Sequence, residues 1–217
     1  FIVIGLGAWT RLADAGLGCP DWPGCYGFVT FPTTPDEIAL AESLFPDSPV
    51  EIDKIIPEGV HRYFAASLGL LAICLVFIAF KEQKMKTESI ALLLIIIGQG
   101  IFGYLTVSLK LHPLTRTSHL FGAMIVTSLF LVIFMKSLKI TNSYLILVRN
   151  KPYIMVGFVL IISQLFLGAW TSTNYAARAC LDLPYCQGEL IPNTNFEEGF
   201  NLFQSIGPNY LYGQMSN

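Results

Sequence analysis

Residues 60–80 read VHRYFAASLGLLAICLVFIAF. This run is long enough to cross a bilayer as a helix, which needs roughly 20 apolar residues for about 30 Å of hydrocarbon. Three more stretches reach that length: about Ile90–Val107, His119–Met135 and Tyr153–Trp170. None of the four holds an interior proline, so each can keep its backbone bonds in lipid. The segment Phe1–Trp9 is apolar too but covers only half a bilayer, and it lacks the basic start of a signal peptide. It is read as the outer half of a further helix that begins upstream. At the other end Asn217 closes a polar stretch, so the sequence is expected to be a piece of a longer chain.

Composition supports the membrane reading. Of the 217 residues, 53% are hydrophobic and 13% charged, against about 25% charged in soluble domains. The mean hydropathy is +0.59. A net charge of −2 without a basic stripe argues against nucleic-acid binding. Cytoplasmic loops carry excess lysine and arginine. Lys81, Lys84 and Lys86 follow the first full span; Lys136, Lys139, Arg149 and Lys151 follow the third. The loop from Leu12 to Pro57 is acidic, and the tail beyond Thr173 carries only Arg178 as a basic residue, so both are placed outside. Lys110 and Arg116 also fall outside, which makes the rule a bias here.

A duplication organises the chain. Leu6-Gly7-Ala8-Trp9-Thr10 returns as Leu167-Gly168-Ala169-Trp170-Thr171, and the Cys19–Gly27 segment returns as Cys180–Gly188. Both blocks share an offset of 161 residues. The expected fold is all-α: a polytopic membrane helical bundle of two pseudo-repeated four-helix halves, the second cut short. Residues 1–137 form the first half, 138–152 a cytoplasmic linker, and 153–217 the start of the second half. Parallel repeats of this kind hold sites within or between their halves.

The repeat carries two identically spaced cysteine pairs, Cys19/Cys25 and Cys180/Cys186. Outside the membrane they fit disulfides. A metal site is the alternative, but no histidine lies near either pair and zinc wants four ligands. Each pair is read as a staple for its loop, with a redox-active thiol pair as the sharper alternative. Cys74, among aliphatic residues, is read as packing.

His61 and His119 open two spans that run in the same direction. That puts two imidazoles at matched depth, where ionisable groups face the bundle interior. Such a pair can grip a flat iron porphyrin from both faces. His112, before Pro113, is read as a solvated loop residue. Arg62 and Arg116 each lie within three residues of a candidate ligand, and either pairs with haem propionates or snorkels outward. Glu58 shares a helical face with His61. It is a carboxylate placed to handle protons, or simply a first-turn acid favoured by the helix dipole. Gly98, Gly100 and Gly103 would allow close helix contact within the chain or in a homo-oligomer.

The ordered motifs resemble the haem A synthase family. Gly7-Ala8-Trp9-Thr10-Arg11-Leu12 and Gly16–Pro23 resemble its first helix and loop. Glu58 with His61-Arg62 resembles its Glu-x-x-His-Arg motif. Gln99-Gly100, Gly103, Thr106 and His119-Leu120 resemble its third and fourth helices, and the Leu167–Cys186 region resembles the start of its second half. The resemblance implies an eight-helix membrane oxidoreductase that converts haem O to haem A for terminal oxidases, oxidising a porphyrin methyl to a formyl group. It implies His61 and His119 as axial ligands of the substrate haem, Glu58 as the functional carboxylate, and two outer-loop disulfides. It also implies a haem b in the C-terminal half, whose ligands lie outside this chain. Expected partners are lipid, haem O with the haem O synthase that supplies it, and an unidentified electron donor. The expected location is the bacterial inner membrane, or the mitochondrial inner membrane in a eukaryote, with the cysteine loops on the outer, periplasmic side. The alternative function is a non-catalytic bis-histidine cytochrome subunit that only passes electrons.

Overall fold

The structure, a computed structural model, describes residues 1–138, 150–176, 179–180, 182, 184–186, 188–190, 192 and 195–203. Most of the expected linker at 138–152 lies outside the described residues, as do Arg178 and three residues of the second cysteine loop. The described residues form seven helices: α1 (Ile2–Leu12), α2 (Pro35–Leu44), α3 (Ile52–Lys81), α4 (Lys86–Ser108), α5 (Pro113–Ser137), α6 (Lys151–Thr173) and the short α7 (Phe196–Gly199). Strand pairing among them is confined to two isolated bridges. Helices α3, α4, α5 and α6 are each long and apolar enough to span a membrane, so the protein is a multi-pass membrane helical bundle.

Packing runs in chain order around the bundle: α1 on α3, α3 on α4, α4 on α5, and α5 on α6. Large apolar side chains such as Leu70, Phe77, Leu94, Leu131 and Phe158 point outward. That is the arrangement lipid requires, since chains of hydrocarbon solvate these groups as well as a protein core does. Cys74 is exposed on the same outer surface rather than packed inside, because it faces away from the helices that α3 contacts. At the end of the bundle away from the Leu12–Pro57 loop, Lys136 of α5 pairs with Glu88 of α4.

Two features of the region between α1 and the apolar run of α3 differ from the sequence expectation. Helix α3 begins at Ile52, not near Val60, and so includes Pro57 ahead of the apolar run. At 1.5 Å per residue its 30 residues extend about 45 Å, longer than the hydrocarbon layer. Apolar counting marks where lipid begins, not where the helix begins. The extra turns are covered by protein: Ile55 is fully buried, and the hydroxyl of Thr10 lies 3.0 Å from the carbonyl of Pro57.

The second difference is α2, inside a segment expected to be loop. Thr34 caps it, its hydroxyl accepting from the Glu37 amide while the Glu37 carboxylate accepts from the Thr34 amide, and Pro35 stands at the start. This capping box is a legible start signal. The amides of Thr33 and Thr34 hold the Glu37 carboxyl below the usual carboxylate range. Thr34→Ala is expected to cost about 1 kcal/mol of local stability. Amide exchange across Pro35–Leu44 should then quicken about fivefold.

The loop between α1 and α3 is a small folded layer. Cys19, Cys25, Tyr26, Ala41 and Ile55 form its core, with Phe28, Phe31, Phe45 and Val50 packed around them. Burial pushes the Tyr26 hydroxyl up to about 12. The Cys19–Cys25 disulfide is formed, and a tight turn joins Cys25 to Phe28. Tyr26 and Gly27 both take positive φ there, and the carboxylate of Asp21 accepts both of their amides, at 2.6 and 2.8 Å. The second copy repeats this. Cys180–Cys186 is a disulfide, Cys186 bridges Glu189, Gly188 has φ +81°, and its amide donates to Asp182 at 2.9 Å. The duplication in sequence is thus a duplication of local structure.

Candidate functional site

His61 projects from α3 against α1. Its Nδ1 lies 3.1 Å from the carbonyl oxygen of Val3. A carbonyl only accepts, so Nδ1 carries the proton and Nε2 keeps its lone pair. This is how a second contact fixes the tautomer of a metal-binding imidazole. Gly7 makes room for the ring: a Cβ there would sit 3.1 Å from His61 Cε1. The glycine of the repeated Leu-Gly-Ala-Trp block therefore has a definite task in the first copy.

His119 projects from α5, within electrostatic reach of His61. Gly103 of α4 stands beside it, where a Cβ would lie 3.9 Å from Cε1. Gly98 and Gly100 face open space instead. The Nδ1 of His119 is buried with no hydrogen-bond partner, and so is Oε1 of Gln99 on α4. The Gln99 amide lies over the backbone of Gly122, one turn along α5 from His119, so closely that a Cβ there would come within 1.7 Å. Helices α3 and α5 are not among the closely packed helix pairs of the described residues. Buried polar atoms normally have partners, because leaving one unmade costs about 1–3 kcal/mol. Two orphaned atoms on α4 and α5, on a helix pair that α3 joins through α4 alone, mark a place suited to a further group. The donor set suits an iron porphyrin: two imidazoles, one of them with its tautomer already fixed, in an otherwise apolar bundle. Among the described residues no cluster of three His, Cys, Asp or Glu side chains offers another metal site.

Glu58 and Arg62 stand one turn apart on α3, next to His61. Glu58 is 5% exposed. Its Oε1 pairs with Arg62 at 2.6 Å, and its Oε2 accepts the Cys19 amide at 2.9 Å. The two terminal nitrogens of Arg62 also donate to the carbonyls of Asp21, Gly24 and Cys19, at 2.8, 2.5 and 3.4 Å. Arg62 is therefore turned into the disulfide loop and does not snorkel to water. Phe31 presses on Gly59, where a Cβ would fall 1.9 Å from its ring, and Tyr63 donates to the Val29 carbonyl. Trp22 meets Tyr104 of α4 edge-on at 5.9 Å. The loop is thereby tied to α3 and α4 at one end of the bundle.

Arg116 takes a different course. With Arg11, which the sequence reading did not single out, it flanks Tyr175 just beyond α6. Their guanidinium carbons lie 5.3 and 4.7 Å from the ring centre. Arg11 donates to the Ser172 carbonyl at 2.7 Å, and the Tyr175 hydroxyl lies 3.4 Å from Asp14. Each of these last two contacts joins residues 161 apart, the repeat offset. The signal that would have found Arg11 was its place directly after the repeated Gly-Ala-Trp-Thr.

His112 is not a free loop residue. It caps α5, its Nδ1 accepting the Leu114 amide at 3.2 Å, and burial holds its pKa below the ordinary histidine value. A cleft of about 600 Å³ between α5 and α6 is lined by Phe121, Ile162, Ser163, Phe166 and Leu167, and none of these offers an imidazole or carboxylate.

Comparison with known proteins agrees with this architecture. The profile of the COX15-CtaA family, described as cytochrome oxidase assembly protein, matches residues 1–207. The heme A synthase of Shewanella oneidensis is 41% identical over 215 residues, which cover 98% of this chain and 65% of that protein. The heme A synthase of Halalkalibacterium halodurans is 28% identical over 221 residues, 97% of this chain and 68% of the relative. That of Wolbachia pipientis is 25% identical over 225 residues, 90% and 62% respectively. The chain spans about two thirds of the length of the curated relatives it matches. No solved structure matches it. With a family profile running through nearly all of its length, the chain belongs to the COX15-CtaA family of cytochrome oxidase assembly proteins.

Proposed function

We propose that this chain carries the substrate half of a haem A synthase, a membrane oxidoreductase that converts haem O to haem A by oxidising a porphyrin methyl to a formyl group. The observation that carries the reading is the pair His61 and His119. One has its Nδ1 proton fixed on Val3, the other has its Nδ1 orphaned, and they project into a bundle whose α3 and α5 do not close on each other. The names of the relatives agree. Bound haem iron would supply the redox chemistry. The protein's own part is to hold and shelter the substrate: His61 and His119 as axial ligands, and the disulfide loop as a cover pinned by Glu58 and Arg62. Glu58 is the functional carboxylate of this reading, and its Arg62 partner holds its charge in place beside His61.

The same reading puts the protein in a bacterial inner membrane, with the lysines that follow α3 and α5 in the cytoplasm and both disulfide loops in the periplasm. Haem O would arrive from the synthase that makes it, electrons from a separate donor, and haem b would occupy the C-terminal half. A carboxylate with both oxygens occupied would serve an electron-carrying cytochrome equally well. One experiment separates the two. The full-length gene is expressed in a host that makes haem O but no haem A, and extracted haems are measured by mass spectrometry. Haem A or its hydroxylated precursor is the expected result. Bound haem without conversion, in folded protein supplied with reductant, would establish the electron carrier instead.

A further inference from the structure

At the outer end of the bundle the chain gathers more positive charge than it neutralises. Arg11 and Arg116 are both half-buried, and both rest on the Tyr175 ring. The Nε of Arg11 is buried without an acceptor. Among the described residues Arg116 reaches the Thr173 carbonyl and the Tyr175 hydroxyl, each at 3.5 Å, the outer limit of a hydrogen bond. Among the described residues one carboxylate lies near, Asp14, 3.7 Å from Arg11, and its side chain is 62% exposed. Arg62 offers the contrast: its terminal nitrogens are fully engaged by Glu58 and three carbonyls. Guanidinium groups with unspent donors in a poorly hydrated place are matched by oxyanions, which accept their planar fork in charge-assisted pairs.

Helical register says where such an oxyanion would belong. Arg116 precedes His119 by three residues on α5, about 4.5 Å along the axis. Arg11 follows Gly7, which touches His61, by four residues on α1, about 6 Å along the axis. Both guanidiniums therefore stand one turn above the imidazole layer, toward the same end. A porphyrin held edge-up between two imidazoles carries its two carboxylates on one edge.

We propose that Arg11 and Arg116 form a carboxylate clamp that grips the propionates of the porphyrin held by His61 and His119, while Arg62 serves the disulfide loop. The clamp rests on the reading of that histidine pair as a haem site. It adds Arg11 to the site and makes the free carboxylates a requirement for the ligand.

The test uses the full-length protein in nanodiscs, with haem b and its dimethyl ester as probes. The signal is the haem absorbance that disappears in the His61→Ala variant. The unmodified protein should bind the free acid at least about tenfold more tightly than the ester, since one charge-assisted pair is worth that much. Arg11→Gln with Arg116→Gln should bind both alike, and Arg11→Lys with Arg116→Lys should keep much of the preference. Equal binding of acid and ester by the unmodified protein overturns the clamp, whatever the variants do. So does a preference that survives in the glutamine variant. A third arm replaces neutral with anionic phospholipid in haem-free protein. If anionic lipid raises the melting temperature, the rise needs both arginines, and the ester is not discriminated against, then the oxyanion is a lipid phosphate and the clamp is overturned. Absence of any His61-dependent haem would remove the haem site itself, and the clamp with it.

Discussion

Replacing either His61 or His119 with alanine in the full-length protein is expected to abolish haem A formation while leaving the protein in the membrane. Neither substitution strips a contact that the apoprotein needs. His61 spends one hydrogen bond on Val3, and the Nδ1 of His119 has none to lose. In the proposed reading their shared value lies in the ligand. Membrane abundance by immunoblot should stay near normal, and the haem A peak in mass spectra of extracted haems should fall to background. His61→Ala leaves a ring-sized space beside Gly7, so imidazole added to the buffer should return part of the lost absorbance. Normal turnover in both variants would remove the site assignment.

Removing Glu58 should produce the second large effect, through the loop. Glu58→Leu leaves Arg62 charged and the Cys19 amide without its acceptor, both in a buried setting. Breaking one partner of a buried pair costs about 3–5 kcal/mol. The docked loop then opens about a hundred to several thousand times more often. Reduction of the Cys19–Cys25 bond by an added thiol reads this opening directly, and its rate should rise by that factor. The double variant Glu58→Leu with Arg62→Leu removes the stranded charge but leaves the Cys19 amide and the carbonyls of Asp21, Gly24 and Cys19 without their partners, so it should recover only part of the protection. Glu58→Gln keeps both hydrogen-bonding oxygen and shape; it should hold haem, with slower conversion. An unchanged thiol rate in Glu58→Leu would show that the ion pair does not hold the loop.

The parts of this molecule that were legible in the sequence are those governed by local composition. Four apolar runs gave the four spans, and two imidazoles at matching places in two of them gave the candidate ligands. The paired cysteines gave both disulfides. What stayed hidden depends on partners far along the chain. Nothing near Arg62 announces that its donors go to carbonyls some forty residues earlier. Nothing near Arg11 announces Tyr175, since the two meet only when α6 returns beside α1. The early start of α3 was hidden for a related reason. Its first turns are stabilised by the loop folded over them, so no apolar periodicity marks them. Helix α2 is a different case, because the box at Thr34–Glu37 was in plain view and the surrounding acidic residues masked it.

The contacts of Arg11 with Ser172 and of Tyr175 with Asp14 have a bearing on the history of the chain. Positions that touch their own repeat equivalents lie beside an axis of approximate two-fold rotation, as residues do at the centre of an isologous dimer. Two separate identical subunits meeting there would be forced to set arginine against arginine and aspartate against aspartate. Joining the copies end to end lifts that compulsion. One chain can answer a guanidinium with a backbone carbonyl and an acid with a phenol, and so turn a seam between equals into a joint with two different sides.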